Sequence, residues 1–335
     1  MKKNRIATAS AISTFMTCPK KYDFSYNECI APSGTVAAFA TGGVVHRGLE
    51  SYWERKGTKE IFADMAAYRL ENDRQFWQSA DGDIEAARTN AYVSGYINKW
   101  KGEDFQKYEV IDVEKEFLFG TEDFPMQFAG KMDVVLRRKS DGQLIIMDHK
   151  TASSGSGAAE PGSPYWQKLV MDNQIATYLF AARQVYGEPA AFAYDVLIKT
   201  SAGPKGSKAR QKKDESRHEF LQRKSSGMEP VEAFAARLKE EHSFATEKYI
   251  RKEVVVTDDE LKQKLVEFRS VMPRMLEPEY LRNSTNCVRG SIVCPYLGLC
   301  TGEDSRDSMA FKRKMKAHTE LTYPDKLERA LRDFT

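Results

Sequence analysis

The chain has 335 residues, of which 41% are hydrophobic and 30% charged, with a net charge of +3. Such a composition describes an ordinary globular protein able to bury a core, and the small net charge does not by itself mark a nucleic-acid binder. No uncharged apolar stretch is long enough to span a membrane, and no signal-peptide run follows Met1-Lys2-Lys3-Asn4-Arg5, so a cytoplasmic protein is expected.

Ser10 to Tyr26 reads as a capped helix, with Ser10 or Ser13 accepting from exposed amides and Ile12, Phe15 and Met16 as its stripe. After Gly42-Gly43, a helix is predicted over 44–55 with Val45, Leu49, Tyr52 and Trp53 on one face. More helix runs to about Trp100, interrupted near Asp81-Gly82. From Tyr108 the period changes to strands over Val110–Phe119, Met126–Arg138 and Gln143–Lys150. Ala152–Pro164 is rich in Ser, Gly and Pro and reads as a loop placed to gate whatever binds beside it. A helix follows from about Lys168 to Tyr186, with Ile175, Leu179 and Ala182 buried, then a strand over Ala191–Lys199. Residues 201–217 carry six basic residues (Lys205, Lys208, Arg210, Lys212, Lys213 and Arg217) against Asp214 and Glu215, a basic loop suited to a phosphate backbone or simply to solvent. Lys312, Arg313, Lys314 and Lys316 form a second basic cluster. A strand over 219–223, helix over 230–240, strand over 249–256 and helix over 258–276 complete an α/β pattern with a mixed central sheet flanked by helices.

The chemistry concentrates in two strands. Gly130-Lys131-Met132-Asp133-Val134-Val135 and Leu144-Ile145-Ile146-Met147-Asp148-His149-Lys150 each deliver a carboxylate. Alternate residues of a strand share a face, so Asp148 and Lys150 emerge together while His149 turns away. A tight turn at Ser140-Asp141-Gly142 would bring Asp133 near Asp148. Two oxygen donors beside an ammonium suit metal-assisted cleavage of a phosphodiester; a hairpin with solvated charges is the plainer alternative.

There are five cysteines, at positions 18, 29, 287, 294 and 300. In a cytoplasmic protein disulfides are disfavoured, so Cys287, Cys294 and Cys300, joined by Cys18 if the chain ends meet, read as ligands for zinc or an iron–sulfur cluster. Spacing does not choose between them, and Cys29 has no evident partner.

With these residues the chain resembles the RecB-like branch of the PD-(D/E)XK nuclease superfamily, and in that branch the iron–sulfur exonucleases, which include CRISPR-adaptation nucleases, the AddB nuclease domain and phage-encoded relatives. The resemblance runs from the Ser10–Tyr22 segment with Cys18-Pro19-Lys20-Lys21-Tyr22 to Cys300. It takes in Gly43-Val44-Val45-His46, similar to the family helix whose histidine ligates metal, and Gln174-Ile175-Ala176-Thr177-Tyr178, similar to the family's Gln-x3-Tyr motif. Met132 stands where the superfamily motif has proline, Asp148 where glutamate is commoner, and the Cys287–Cys294 interval is longer than usual.

The resemblance implies a PD-(D/E)XK nuclease fold as a single domain over 1–335. Its parts would be a catalytic core at 40–200, cluster-binding segments at 10–30 and 280–302 joined at the cysteines, the basic loop at 201–217, and a tail at 303–335. It implies a Mg²⁺- or Mn²⁺-dependent deoxyribonuclease, an exonuclease before an endonuclease, acting on single-stranded DNA or DNA ends in recombination, repair or CRISPR-adaptation-like processing. Its location would be cytoplasmic, the host cytoplasm if phage-encoded. Catalysis would fall to Asp133, Asp148, Lys150, Gln174 and Tyr178, with metal held by His46, Asp133, Asp148 and the His149 carbonyl. A [4Fe–4S] cluster on Cys18, Cys287, Cys294 and Cys300 is implied, zinc being the alternative occupant. Glu116 is a further candidate. A non-catalytic iron–sulfur or zinc DNA-binding module on the same fold is the competing reading.

Overall fold

The computed structural model describes residues 5–33, 37–206, 210–290, 292–319 and 321. Lys208 of the expected basic loop and most of the 303–335 tail beyond Thr319 lie outside them.

The chain opens with β1 (Ile6–Ala7) and α1 (Ala9–Thr17). The cap of α1 is Thr8, whose extended backbone lets its hydroxyl accept from the Ala11 amide; Ser10 and Ser13 already lie inside the helix and cannot cap it. Ile12 and Phe15 are buried as expected, but Met16 is exposed. The helix also ends sooner than expected. Cys18 is extended, and α2 (Pro19–Tyr22), a π-turn over Asp23–Asn27 and β2 (Ile30–Pro32) follow.

Next come α3 (Ala37–Trp53), α4 (Thr58–Glu71), α5 (Arg74–Trp77) and α6 (Ala80–Trp100). Helix α3 starts at Ala37, ahead of the predicted Val44, and carries Gly42-Gly43 within it. The predicted break at Asp81-Gly82 falls instead before Ser79, which caps α6 by accepting from the Gly82 amide. Asp81 and Asp83 then sit in the first turn, where the positive end of the helix dipole favours them.

After α7 (Asp104–Lys107) the strands β3 (Tyr108–Phe119), β4 (Gln127–Arg138) and β5 (Leu144–Ser153) form an antiparallel run. The β4–β5 turn is the predicted one: Gly142 takes φ +73° and its amide donates to the Arg138 carbonyl at 2.8 Å. The single helix expected over 168–186 is two, α8 (Pro164–Val170) and α9 (Asn173–Tyr186), because Asp172 is extended and caps α9. Strand β6 (Ala190–Lys199) follows. Where a strand was predicted over 219–223 there is α10 (Arg217–Ser226), started by a reciprocal Ser216–Glu219 capping pair. Then come α11 (Val231–Phe244), β7 (Tyr249–Val254), α12 (Asp258–Met275), β8 (Val288–Arg289), β9 (Ile292–Val293), α13 (Leu297–Thr301) and β10 (Phe311–Arg313).

The main sheet has six strands. β3, β4 and β5 pair antiparallel, β6 lies parallel to β5, β7 antiparallel to β6, and β1 runs parallel beside the start of β4. This is the expected α/β fold with a mixed sheet between helices. The run Leu144–Met147 is apolar without interruption because both faces are covered: Leu144 and Ile146 face the core with α1, α9 and α12, Ile145 and Met147 the core with α3, α4 and α6. The pairing of β4 with β5 extends only from Arg137/Leu144 to Val134/Met147. One residue further along each strand come Asp133 and Asp148.

Candidate active site and cysteine lobe

Where β4 and β5 cease to pair, a side chain replaces the ladder. The Asp133 carboxylate accepts from the His149 amide at 2.8 Å, and its Oδ2 lies 3.5 Å from His46 Nδ1 on α3. Asp148 and Lys150 share one face of β5, as strand alternation requires: Lys150 Nζ is 2.6 Å from Asp148 Oδ2. Helix α9 brings the Gln174–Tyr178 pair onto them. Gln174 donates to Asp148 at 2.6 Å and to the Tyr178 hydroxyl at 3.1 Å, and accepts from Lys150 at 2.5 Å. Tyr178 in turn donates to the Lys131 carbonyl at 2.7 Å, tying α9 to the strand that carries Asp133. Gly130 makes this closeness possible. A Cβ there would lie 2.6 Å from the Phe117 ring and 3.3 Å from that of Tyr178.

Asp148 is 1% exposed. Burial, reinforced by the charge of Asp133, pushes its carboxyl up to about 6 against the pull of Lys150. Burial works against the Lys150 ammonium, but Asp148 outweighs it and leaves the lysine above its ordinary value. His46 is held below its ordinary value, first by burial and then by His149, which keeps a lone pair free on its ring. Two carboxylates therefore face one ammonium in a largely buried site. The donor set and the excess negative charge fit a hard divalent cation, although no three His, Cys, Asp or Glu side chains among the described residues close on a single point. The expected full closure of His46, Asp133, Asp148 and His149 around one ion is thus not drawn in this structure: Asp148 is engaged by Lys150 and Gln174, and Asp133 by the His149 amide.

The His149 ring lies on the other side of the sheet, in a buried network that sequence reasoning missed. Its Nδ1 is 3.2 Å from Asp195, its register partner on β6. Asp195 also accepts from Tyr96 at 2.5 Å and meets Arg251 at 3.2 Å, and Arg251 continues to Asp104 at 2.5 Å. Arg251 and His149 overcome burial and hold Asp195 well below the usual carboxylate range. Through the His149 ring this network fixes the peptide between Asp148 and Lys150. Two further residues were missed. Tyr165 on α8 is half-buried and feels the charges of Lys150 and Asp148; its only sequence signal was its place between Lys150 and Gln174. Glu114 takes φ +51° between the β3 residues paired with Met132 and Val134, so it, and not the expected Glu116, lies across from Asp133.

The structure brings four of the five cysteines to one cavity, although no three of them close on a single point. Cys18, Cys287, Cys294 and Cys300 line one cavity of about 170 Å³, with no histidine or carboxylate among its lining residues. Burial and then Cys18, Cys287 and Cys294 push the Cys300 thiol up, which reports their mutual closeness. The chain ends are tied around it by Asn283 and Asn286, both donating to the Thr17 carbonyl at 2.9 and 2.6 Å, and by Arg282 donating to that of Cys300 at 2.8 Å. Cys29 is outside the cavity, with φ +54°.

The sequence profile of the PD-(D/E)XK nuclease superfamily matches residues 7–301, from β1 to the end of α13. This chain belongs to that superfamily. The nuclease is similar to a solved structure from Eubacterium rectale described as "Putative exonuclease", at 14% identity and TM-score 0.47, over 87% of this chain and 92% of that one. No curated protein matches it. Among the described residues of the nuclease no helix is long and apolar enough to cross a membrane.

Proposed function

We propose that this nuclease is a divalent-metal-dependent DNA exonuclease of the RecB-like, iron–sulfur kind, acting on single strands or DNA ends. The observation that carries the reading is the assembly of Asp133, Asp148, Lys150, Gln174 and Tyr178 at the point where β4 and β5 part. A Mg²⁺ or Mn²⁺ ion held by Asp133, Asp148, His46 and the His149 carbonyl would neutralise phosphate charge and acidify the attacking water.

The chain's own residues do the rest. Lys150, fixed between Asp148 and Gln174, holds its ammonium where the phosphate develops charge. Gln174 bridges the acid and the base, so a one-rotamer shift of α9's amide would release both. Tyr178 and Tyr165 offer phenol and ring to the substrate strand. The [4Fe–4S] reading for the cysteine lobe rests on four thiols lining one cavity, without carboxylate or imidazole.

The test is digestion of end-labelled linear and circular single-stranded DNA with and without Mn²⁺. Metal-dependent loss of label from linear DNA only is expected. Equal cleavage of circles would make the enzyme an endonuclease, and DNA binding without cleavage would favour the non-catalytic module.

A further inference from the structure

Beside the catalytic residues lies a cleft of about 650 Å³, within the range of about 300–1,000 Å³ that small-molecule sites occupy. It opens between α3, α4, β3 and β4, and two of these elements, α3 and β4, also carry His46 and Asp133. Lys131 stands two residues before Asp133 on β4, Arg47 follows His46 on α3, and Glu114 lies across from Asp133. None of these side chains belongs to the catalytic set itself, to which Lys131 contributes only its carbonyl.

The cleft's charges decide what it can hold. Three cations line it, and each already has a carboxylate: Arg47 with Glu50 at 2.5 Å and Asp64 at 3.5 Å, Lys131 with Glu114, and Lys115 with Asp112 at 3.5 Å. Glu71 and Glu116 add further negative charge. A continuing phosphodiester backbone would bring one charge per nucleotide into a lining that is acidic on balance, with its cations already paired. An uncharged nucleoside has no such difficulty. Carboxylates accept hydrogen bonds from the exocyclic amines of bases, and the half-buried Tyr68 supplies a ring for a base to stack on. Tyr165, which feels the charges of Lys150 and Asp148, is not among the residues lining the cleft.

We infer that the cleft between α3, α4 and β3 is the seat of the terminal nucleoside of the strand being cut, with the scissile phosphate left at Lys150 and the remaining strand leaving past Tyr165. This rests on the exonuclease reading and deepens it. The cleft would act as an end gauge: it accepts one nucleoside and rejects a through-running strand, so cleavage is confined to ends.

Ala67 offers a direct test, because it lines the cleft from an exposed position on α4 and contributes nothing to the catalytic set. Ala67→Trp fills the space without removing a charge; Ala66→Trp, exposed on the same helix and outside the cleft lining, serves as the control. With Mn²⁺ present, Ala67→Trp is expected to release mononucleotides from linear single-stranded DNA at least ~10-fold more slowly, with an unchanged melting temperature, whereas Ala66→Trp matches the wild type. In a second measurement, dAMP should raise the melting temperature of the wild type and of Ala66→Trp but not of Ala67→Trp, while inorganic phosphate affects all three alike. Wild-type digestion rates in Ala67→Trp, or equal dAMP protection of both proteins, would overturn the cleft assignment and leave the nuclease intact. Equal wild-type cleavage of circular DNA, with dAMP protection still lost in Ala67→Trp, would remove the exonuclease reading and leave a nucleotide site.

Discussion

The proposed catalytic centre and the cysteine lobe are built in opposite ways. The centre draws its acids and lysine from two consecutive strands, and large apolar cores on both faces of the sheet hold it. The lobe joins residues more than 260 positions apart, through short elements around a small cluster of Phe24, Ile30, Tyr296 and Phe311. Burial of a few side chains there must offset the ordering of two chain ends, which is where a ligand that binds only the folded form contributes most. The comparison teaches that one region is held by extensive packing on both sides of a sheet, whereas the other has only a small apolar cluster and a few hydrogen bonds to hold it.

Substitution inside the centre should therefore change chemistry and leave folding alone. Asp133→Ala, Asp148→Ala and Lys150→Ala are each expected to lower the cleavage rate by ~10²–10³-fold or more, with DNA binding retained. Single-turnover digestion with a parallel filter-binding assay reads both, and native rates in Lys150→Ala would remove that residue from the site.

In the lobe the order should reverse. Cys18→Ser is expected to cost several kcal/mol, on the order of a lost structural metal ligand, and to expose residues 280–302 to proteolysis before the sheet melts. Anaerobically purified wild type should be brown with about four irons per chain; one zinc in a colourless protein would replace the cluster assignment without touching the nuclease site.

Gly95→Ala probes the packing that the lobe lacks. A Cβ at Gly95 would lie 2.0 Å from the Tyr249 hydroxyl and 2.6 Å from the His242 carbonyl, so α6 and α11 must separate. A loss of about 2–3 kcal/mol is expected in urea unfolding; a neutral result would mean that this interface yields as easily as the lobe.

Acid provides a milder version of the same contrast. His242 is buried against Tyr249 at 2.8 Å, and burial, aided by Lys248, lowers it to about 4. The folded protein thus favours neutral His242, while the unfolded chain takes up a proton near 6.5. Its contribution is complete above pH 6.5 and is lost as the pH falls toward about 4, a decline of about 3 kcal/mol. Unfolding of the wild type and His242→Gln across that window should show the slope in the first and not the second. Smallest of all, Cys29→Ser should shift stability by no more than ~0.5 kcal/mol, since Cys29 stands outside the cavity.

Much of this was legible in the residues because it depends on short-range periodicity. Strand alternation put Asp148 and Lys150 on one face and His149 on the other, the Asp141-Gly142 turn set the hairpin, and four-residue helical spacing aligned Gln174 with Tyr178. Capping was read less well, at Thr8, Ser79, Asp172 and Ser216, because several adjacent hydroxyls or carboxylates compete for each cap and only the chain's path selects one.

Sequence by itself determined the acid–lysine pair and the three C-terminal thiols, since each is a matter of residue type at short spacing, and its motifs carried the resemblance to the superfamily; that Cys18 joins those thiols was decided by the meeting of the chain ends. Tertiary structure alone decided the rest. The parting of β4 from β5 places Asp133 on the His149 amide, a left-handed backbone turn sets Glu114 across from Asp133, and the Asp195–Arg251–Asp104 network collects buried charge from β6, β7 and α7. The cleft beside His46 likewise exists only because α3, α4, β3 and β4 meet there. These features bring together residues distant in the chain, and no local pattern records which of many exposed or buried charges will become neighbours.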